Sequence, residues 1–249
     1  AGGAPPGGGP PRPPPRRPPP PPGGPPPPPP AAAPERLSIA ARLRDGLATL
    51  RGRRALQATV AVTLVSNFFA FPFHQMVPVI AREVLAADAL RFGILVAAWG
   101  VGALAGSVTL AARAVRRPAW VFFAGMSSLF ACICGFALSG AYLLSVGLLL
   151  AGGIGFSGFA SMQILITLRS APQATRGRAL GVVGLAIGVN PLGNVILGLI
   201  AEQVGPQAAL AGFALIGLSG LALVRWRYPE LGRRGAVSDP PPEPAPPAS

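Results

Sequence analysis

The side chains able to do chemistry are few and thinly spread. The chain has one histidine, His74, two cysteines and no lysine. His74 follows Asn67 and Phe71 at a spacing of i, i+4, i+7, which places the three on one helical face with Pro78 a turn later. Such a face offers an amide to hydrogen-bond, a ring to pack against and an imidazole whose ordinary pKa lies near neutrality. Asn190 and Asn194 stand four apart and flank Pro191. A proline within a helix removes a backbone bond and bends it, so this point reads as a structural kink or as a hinge. Cys132 and Cys134 point about 200° apart on a helix, cannot share a metal, and read as small apolar residues. No serine has a histidine or acid at useful spacing, no glycine-rich phosphate loop carries a lysine, and there is no metal-ligand cluster. The expectation is a protein that is not an enzyme, not an ATP-driven pump and without a cofactor, with an ion or proton gradient left open as a source of energy.

The elements that must hold these residues are set by composition. Hydrophobic residues make up 51% of the 249 and charged residues only 12%, with a mean hydropathy of +0.51. Soluble domains carry about 25% charged residues, so half the expected charge is missing. That suits a surface facing lipid, where a charge at mid-depth costs roughly 2.5–3.5 kcal/mol. Six apolar runs are long enough to cross a bilayer, at about 57–80, 92–112, 118–138, 141–168, 179–201 and 206–224. Uninterrupted runs of this length must be helices, because lipid cannot satisfy open backbone groups. The fold class is therefore all-α: a six-span membrane bundle over 56–228. Residues 1–34 and 229–249 are dominated by Pro, Gly and Ala, and are expected to be disordered tails. The segment 35–55 reads as a basic, amphipathic linker lying on the inner membrane surface.

Charge fixes the orientation. All 21 basic residues are arginines; sixteen fall in the segments before span one, after spans two and four, and after span six, against two, Arg82 and Arg91, on the other side. The positive-inside rule then puts both termini in the cytoplasm. Nucleic acid is not an expected partner, since the basic residues are short caps on apolar helices rather than one folded face, and aromatics are only 7%. The bilayer is the expected partner. On this ground SAPQATRGRALG, residues 170–181, is a cytoplasmic turn between two antiparallel spans.

The order of several stretches resembles a known family. NFFAFPFHQMVPVIAREVL is similar to the seventh span and outer loop of major facilitator superfamily transporters. FGILVAAWGVGALAGS followed by RRPAW is similar to the eighth span and the basic loop after it. SAPQATRGRALG resembles the loop between spans ten and eleven in the branch of the enterobactin exporter and related transmembrane secretion effector proteins, and GVNPLGNVILGLIAEQVG resembles span eleven. The resemblance covers about 56–228. Such transporters have twelve spans in two halves, so the chain resembles the C-terminal half. It opens on Ala rather than Met, and the expected partner is a missing N-terminal half or a second copy. The family's inner-loop signature carries an acid between its glycine and its arginines, and GSVTLAARAVRRP has none.

The resemblance implies a secondary-active transporter of the cell membrane, of bacterial inner or plasma membrane type, that exports a small amphipathic, drug- or siderophore-like molecule by alternating access. It implies that the first and fourth spans line the substrate cavity, so that Asn67, Phe71 and His74 face it with Phe156, Phe159 and Gln163. The other reading of Asn67 and Gln163 is an interhelical hydrogen bond, worth about 0.6 kcal/mol. Arg116, Arg117, Arg176 and Arg178 read as cytoplasmic anchors or as parts of an inner gate. The glycine-rich spans two and five are expected to pack against the partner half. The alternative function is a truncated or six-span membrane protein that transports nothing and acts as a scaffold.

Overall fold

The computed structural model describes residues 48, 50–113 and 115–229. The expected tails and most of the 35–55 linker lie outside the described residues. Six helices are long and apolar enough to cross a membrane: α1 Arg54–Glu83, α2 Ala89–Ala112, α3 Pro118–Leu138, α4 Tyr142–Ser170, α5 Gln173–Val204 and α6 Pro206–Arg227. No strand occurs among the described residues.

Local chemistry explains where the helices begin. Asp88 caps α2, its Oδ1 accepting from the Arg91 N–H at 2.8 Å. Pro118 and Pro206 open α3 and α6, where a missing N–H costs nothing. Gly205 joins α5 to α6 at φ +86°, a conformation that other residues rarely adopt. The α5 helix begins at Gln173, ahead of the apolar run at 179, because a short 3₁₀ turn over Gln173–Thr175 runs into a helix that already contains Arg176 and Arg178.

Two of the six spans are broken. In α1, the α-helix Arg54–Val65 gives way to a π-turn over Ser66–Ala70 and resumes as Phe73–Glu83 after Pro72. In α5, the helix Arg176–Ile187 stops, turns through Gly188 and Val189, and restarts at Asn190 with Pro191 in its first turn.

The packing is centred on α4, which lies against α2 on one side and α3 on the other. Glycines make both seams close. A Cβ on Gly102 would collide with the Leu150 carbonyl oxygen, and one on Gly153 with that of Trp99. Gly125 and Gly155 bring α3 and α4 together in the same way, a Cβ on each standing 2.5 and 2.7 Å from the facing carbonyl oxygens. The α6 helix covers α3 and the second half of α5. Phe73, Phe122, Phe130, Phe136 and Met126 fill the interior. Because the spans alternate in direction, one end of the bundle holds Arg54, Arg117, Arg169, Arg176 and Arg225; it is referred to below as the arginine-rich end.

Most glycines of α2 and α5 fall into two sets, Gly188 apart, which meets only carbonyls of its own preceding turn. Gly102, Gly106 and Gly193 are consumed by contacts inside this bundle, Gly106 against α4 and Gly193 against α1. Gly93, Gly100, Gly181, Gly184 and Gly198 have nothing within 4 Å. A glycine count therefore overstates the surface left open for a partner: on α2, half of these glycines already face α4.

Candidate functional site

The break in α1 follows from two features of its sequence. Thr59, Thr63 and Ser66 each turn the hydroxyl back to the carbonyl four residues earlier, at 2.9, 2.7 and 2.6 Å, a habit that bends helices. Pro72 then lacks an N–H. The Phe71 N–H reaches back five residues to the Ser66 oxygen at 3.1 Å. The Asn67 carbonyl, five residues before Pro72, cannot be served in that pattern. A buried carbonyl without a donor is costly, so a partner must come from elsewhere.

It comes from α5. Asn190 Nδ2 donates to the Asn67 carbonyl oxygen at 3.1 Å, and Asn194 Nδ2 donates to Asn190 Oδ1 at 3.1 Å. One turn along, Gly193 lies so close to the Phe68 carbonyl that a Cβ there would collide with its oxygen. The two broken helices are thus joined at their breaks. Asn194 Oδ1 is buried with no hydrogen-bond partner.

The same π-turn separates the residues whose spacing suggested a shared face. A π-turn bonds i to i+5 and adds a residue to the turn, which rotates the rest of the helix relative to the part before it. Asn67 is 4% exposed, its amide donating to the Thr63 carbonyl at 2.9 Å. Gln163 is 8% exposed and donates from Nε2 to the Thr63 hydroxyl across the α1–α4 contact. Phe71 is half-buried and His74 is exposed.

An aromatic face runs across α1, α2 and α4. His74 lies against Phe73 and Trp99, with ring centroids 4.0 and 5.2 Å away. Trp99 is 5.5 Å from Phe156, which meets Phe71 edge-on at 5.7 Å. Phe159, only 2% exposed, lies beneath this layer and stacks on Phe122 at 5.2 Å. His74 Nδ1 is 3.1 Å from the Phe71 carbonyl oxygen. A carbonyl only accepts, so Nδ1 carries the proton in this bond and Nε2 is left as an acceptor. This face can stack on a flat or greasy molecule and accept one hydrogen bond.

Trp99 is a member of this face that motif reading passed over. Tryptophan in membrane helices concentrates at the two interfaces, whereas Trp99 sits midway along α2. That displacement was the available signal, and the glycines on either side of Trp99 masked it.

At the arginine-rich end, Arg53 Nη1 donates to the Thr175 hydroxyl at 3.3 Å, and Arg176 Nε donates to the Ala171 carbonyl oxygen at 3.4 Å. Leu56, Ala171 and Ala179 form a small buried cluster with Leu50 against it. The loop before α5 is therefore fastened to the start of α1. Arg116, Arg117 and Arg178 are exposed.

A protein-family model described as transmembrane secretion effector matches residues 28–246. No curated protein and no solved structure matches the chain.

Proposed function

We propose that this chain, which belongs to the transmembrane secretion effector family of major facilitator transporters, is one six-span half of a secondary-active exporter that moves a small amphipathic molecule by alternating access. The observation that carries this reading is the aromatic, uncharged face formed by Phe71, His74, Trp99 and Phe156 across three different spans. Stacking on rings needs no counter-charge, and one imidazole acceptor is enough to orient a polar group on an otherwise apolar cargo. In this reading Asn67 and Gln163 brace the wall from behind.

Alternating access needs a part that bends. The joined breaks of α1 and α5 are the best placed to do so, because backbone at mid-depth that is irregular yet shielded by protein is a recurrent feature of transporter sites. Pro191 would then be a hinge point rather than a passive kink. The open glycines Gly93, Gly100, Gly181, Gly184 and Gly198 leave α2 and α5 free to approach a second six-span half or a second copy. Arg116, Arg117 and Arg178, exposed at the arginine-rich end, would anchor the spans there and close an inner gate when the halves tilt. A cell membrane of bacterial inner or plasma type is the expected setting. The coupling groups, ion or proton, are assigned to the partner half, because the carboxylates nearest these spans stand at their ends, at Glu83, Asp88 and Glu202.

Efflux of an amphipathic fluorescent dye from vesicles bearing the full-length transporter tests the reading. Trp99→Ala and His74→Ala are expected to lower the rate by about tenfold each, the loss of roughly 1.4 kcal/mol of ring contact. Unchanged efflux in both variants would remove this face from the transport path.

A further inference from the structure

A second concave surface lies on the outside of the bundle, away from the aromatic face. It is a cleft of about 390 Å³ between α3 and α6 at the arginine-rich end. Phe123 and Leu221, both buried, form its floor, and Ala124 and Ala222 widen it by being small. Trp120, 62% exposed, and Arg225 stand at its mouth.

We propose that this cleft binds one anionic phospholipid of the adjoining leaflet. The depth fits. From Ala119 to Ser127 the cleft follows eight residue steps of α3, about 12 Å at 1.5 Å per residue, against about 15 Å for half of a 30 Å hydrocarbon layer. The chemistry along that depth changes in the order a lipid does. Arg225 lies where the phosphate sits, Trp120 at the boundary where indoles partition, and an apolar floor where an acyl chain runs. A guanidinium has five N–H donors; Arg225 uses Nη1 for the Pro229 oxygen at 3.4 Å and keeps donors for a phosphate. Arg116 and Arg117, exposed just ahead of α3, add positive charge on the same side. Basic pockets between membrane helices on this side are suited to acidic headgroups. A free phosphate would use the arginine and leave the apolar floor empty, and a peptide would not need the cleft to match one leaflet.

The chain has three tryptophans, so Trp99→Phe with Trp226→Phe leaves Trp120 as the sole reporter. This protein is reconstituted in phosphatidylcholine vesicles with increasing fractions of dibrominated phosphatidylglycerol or dibrominated phosphatidylcholine. Half-maximal quenching of Trp120 is expected at a roughly fivefold lower fraction of the anionic lipid, the preference that one near-surface arginine confers. Arg225→Gln should erase the difference, and Ala222→Phe, which fills the cleft from an exposed position, should reduce quenching by both lipids. Equal half-points overturn the proposal. So does a preference that survives Arg225→Gln, which would mean general attraction to a basic surface. Relief of quenching by added inorganic phosphate would assign the arginine to a free anion, and relief at higher protein-to-lipid ratio would assign the cleft to a second copy; either result also overturns it.

Discussion

Two seams hold α4 and α1 to their neighbours, and they are built on opposite principles. Where α4 meets α2 and α3, glycines let backbones touch, the helices run unbroken, and the space a side chain would take is filled by facing carbonyls. Where α1 meets α5, both helices are broken and side-chain amides supply what the backbone lacks. In the first seam a closer approach forces atoms together, and a separation forfeits the contacts made along both backbones. The second has one such close contact, Gly193 against the Phe68 carbonyl, and otherwise rests on a few hydrogen bonds worth about 0.6 kcal/mol each on average in membranes. On the proposed function, the closely packed seam is the fixed frame, and the polar repair of two broken helices is the joint that opens.

That contrast can be broken at graded cost. Gly153→Val sets a branched side chain into the Trp99 and Ala103 backbone and is expected to cost about 3 kcal/mol, the upper part of the overpacking range. Loss of the monodisperse protein in mild detergent would register it. Asn190→Leu leaves the Asn67 carbonyl without its donor. It should cost about 1–2 kcal/mol, the penalty of an unsatisfied buried group, read as a lowered thermal midpoint with the helical signal intact. Gln163→Leu removes one interhelical bond, to Thr63, and is expected to cost about 0.6 kcal/mol. Gly181→Ala meets nothing within 4 Å; the stability of this chain should not change, while association with a second half, followed by co-purification, should weaken. An Asn190→Leu effect as large as that of Gly153→Val would erase the distinction between joint and frame.

The six spans were legible because bilayer thickness dictates the length of an apolar run. Membership in the family was legible in the order of four stretches that no single motif would have carried. The α1 break was not. Pro72 and Pro78 look alike in sequence, yet Pro78 lies inside a continuing helix while Pro72 ends a π-turn. The difference lies in the threonine and serine hydroxyls upstream and in an asparagine more than a hundred residues away. Spacing of i, i+4, i+7 assumes 3.6 residues per turn, and the π-turn between Asn67 and His74 breaks that assumption. Likewise the two glycine pairs of α2, Gly93 with Gly100 and Gly102 with Gly106, each repeat at a helical spacing of seven or four residues and differ in which face meets α4, which spacing does not record.

The central claim is that the α1–α5 junction moves during transport while the α2–α4 seam does not. Pro72→Ala tests it directly, because alanine returns an N–H to the break and lets α1 run through. The measurement is dye efflux by the full-length transporter beside its thermal midpoint. The account predicts a midpoint equal to or above that of the parent and a rate lowered by about tenfold, as expected if roughly 1.4 kcal/mol of added helix must be undone in each cycle. An unchanged rate in a Pro72→Ala protein of unchanged or higher stability would contradict it.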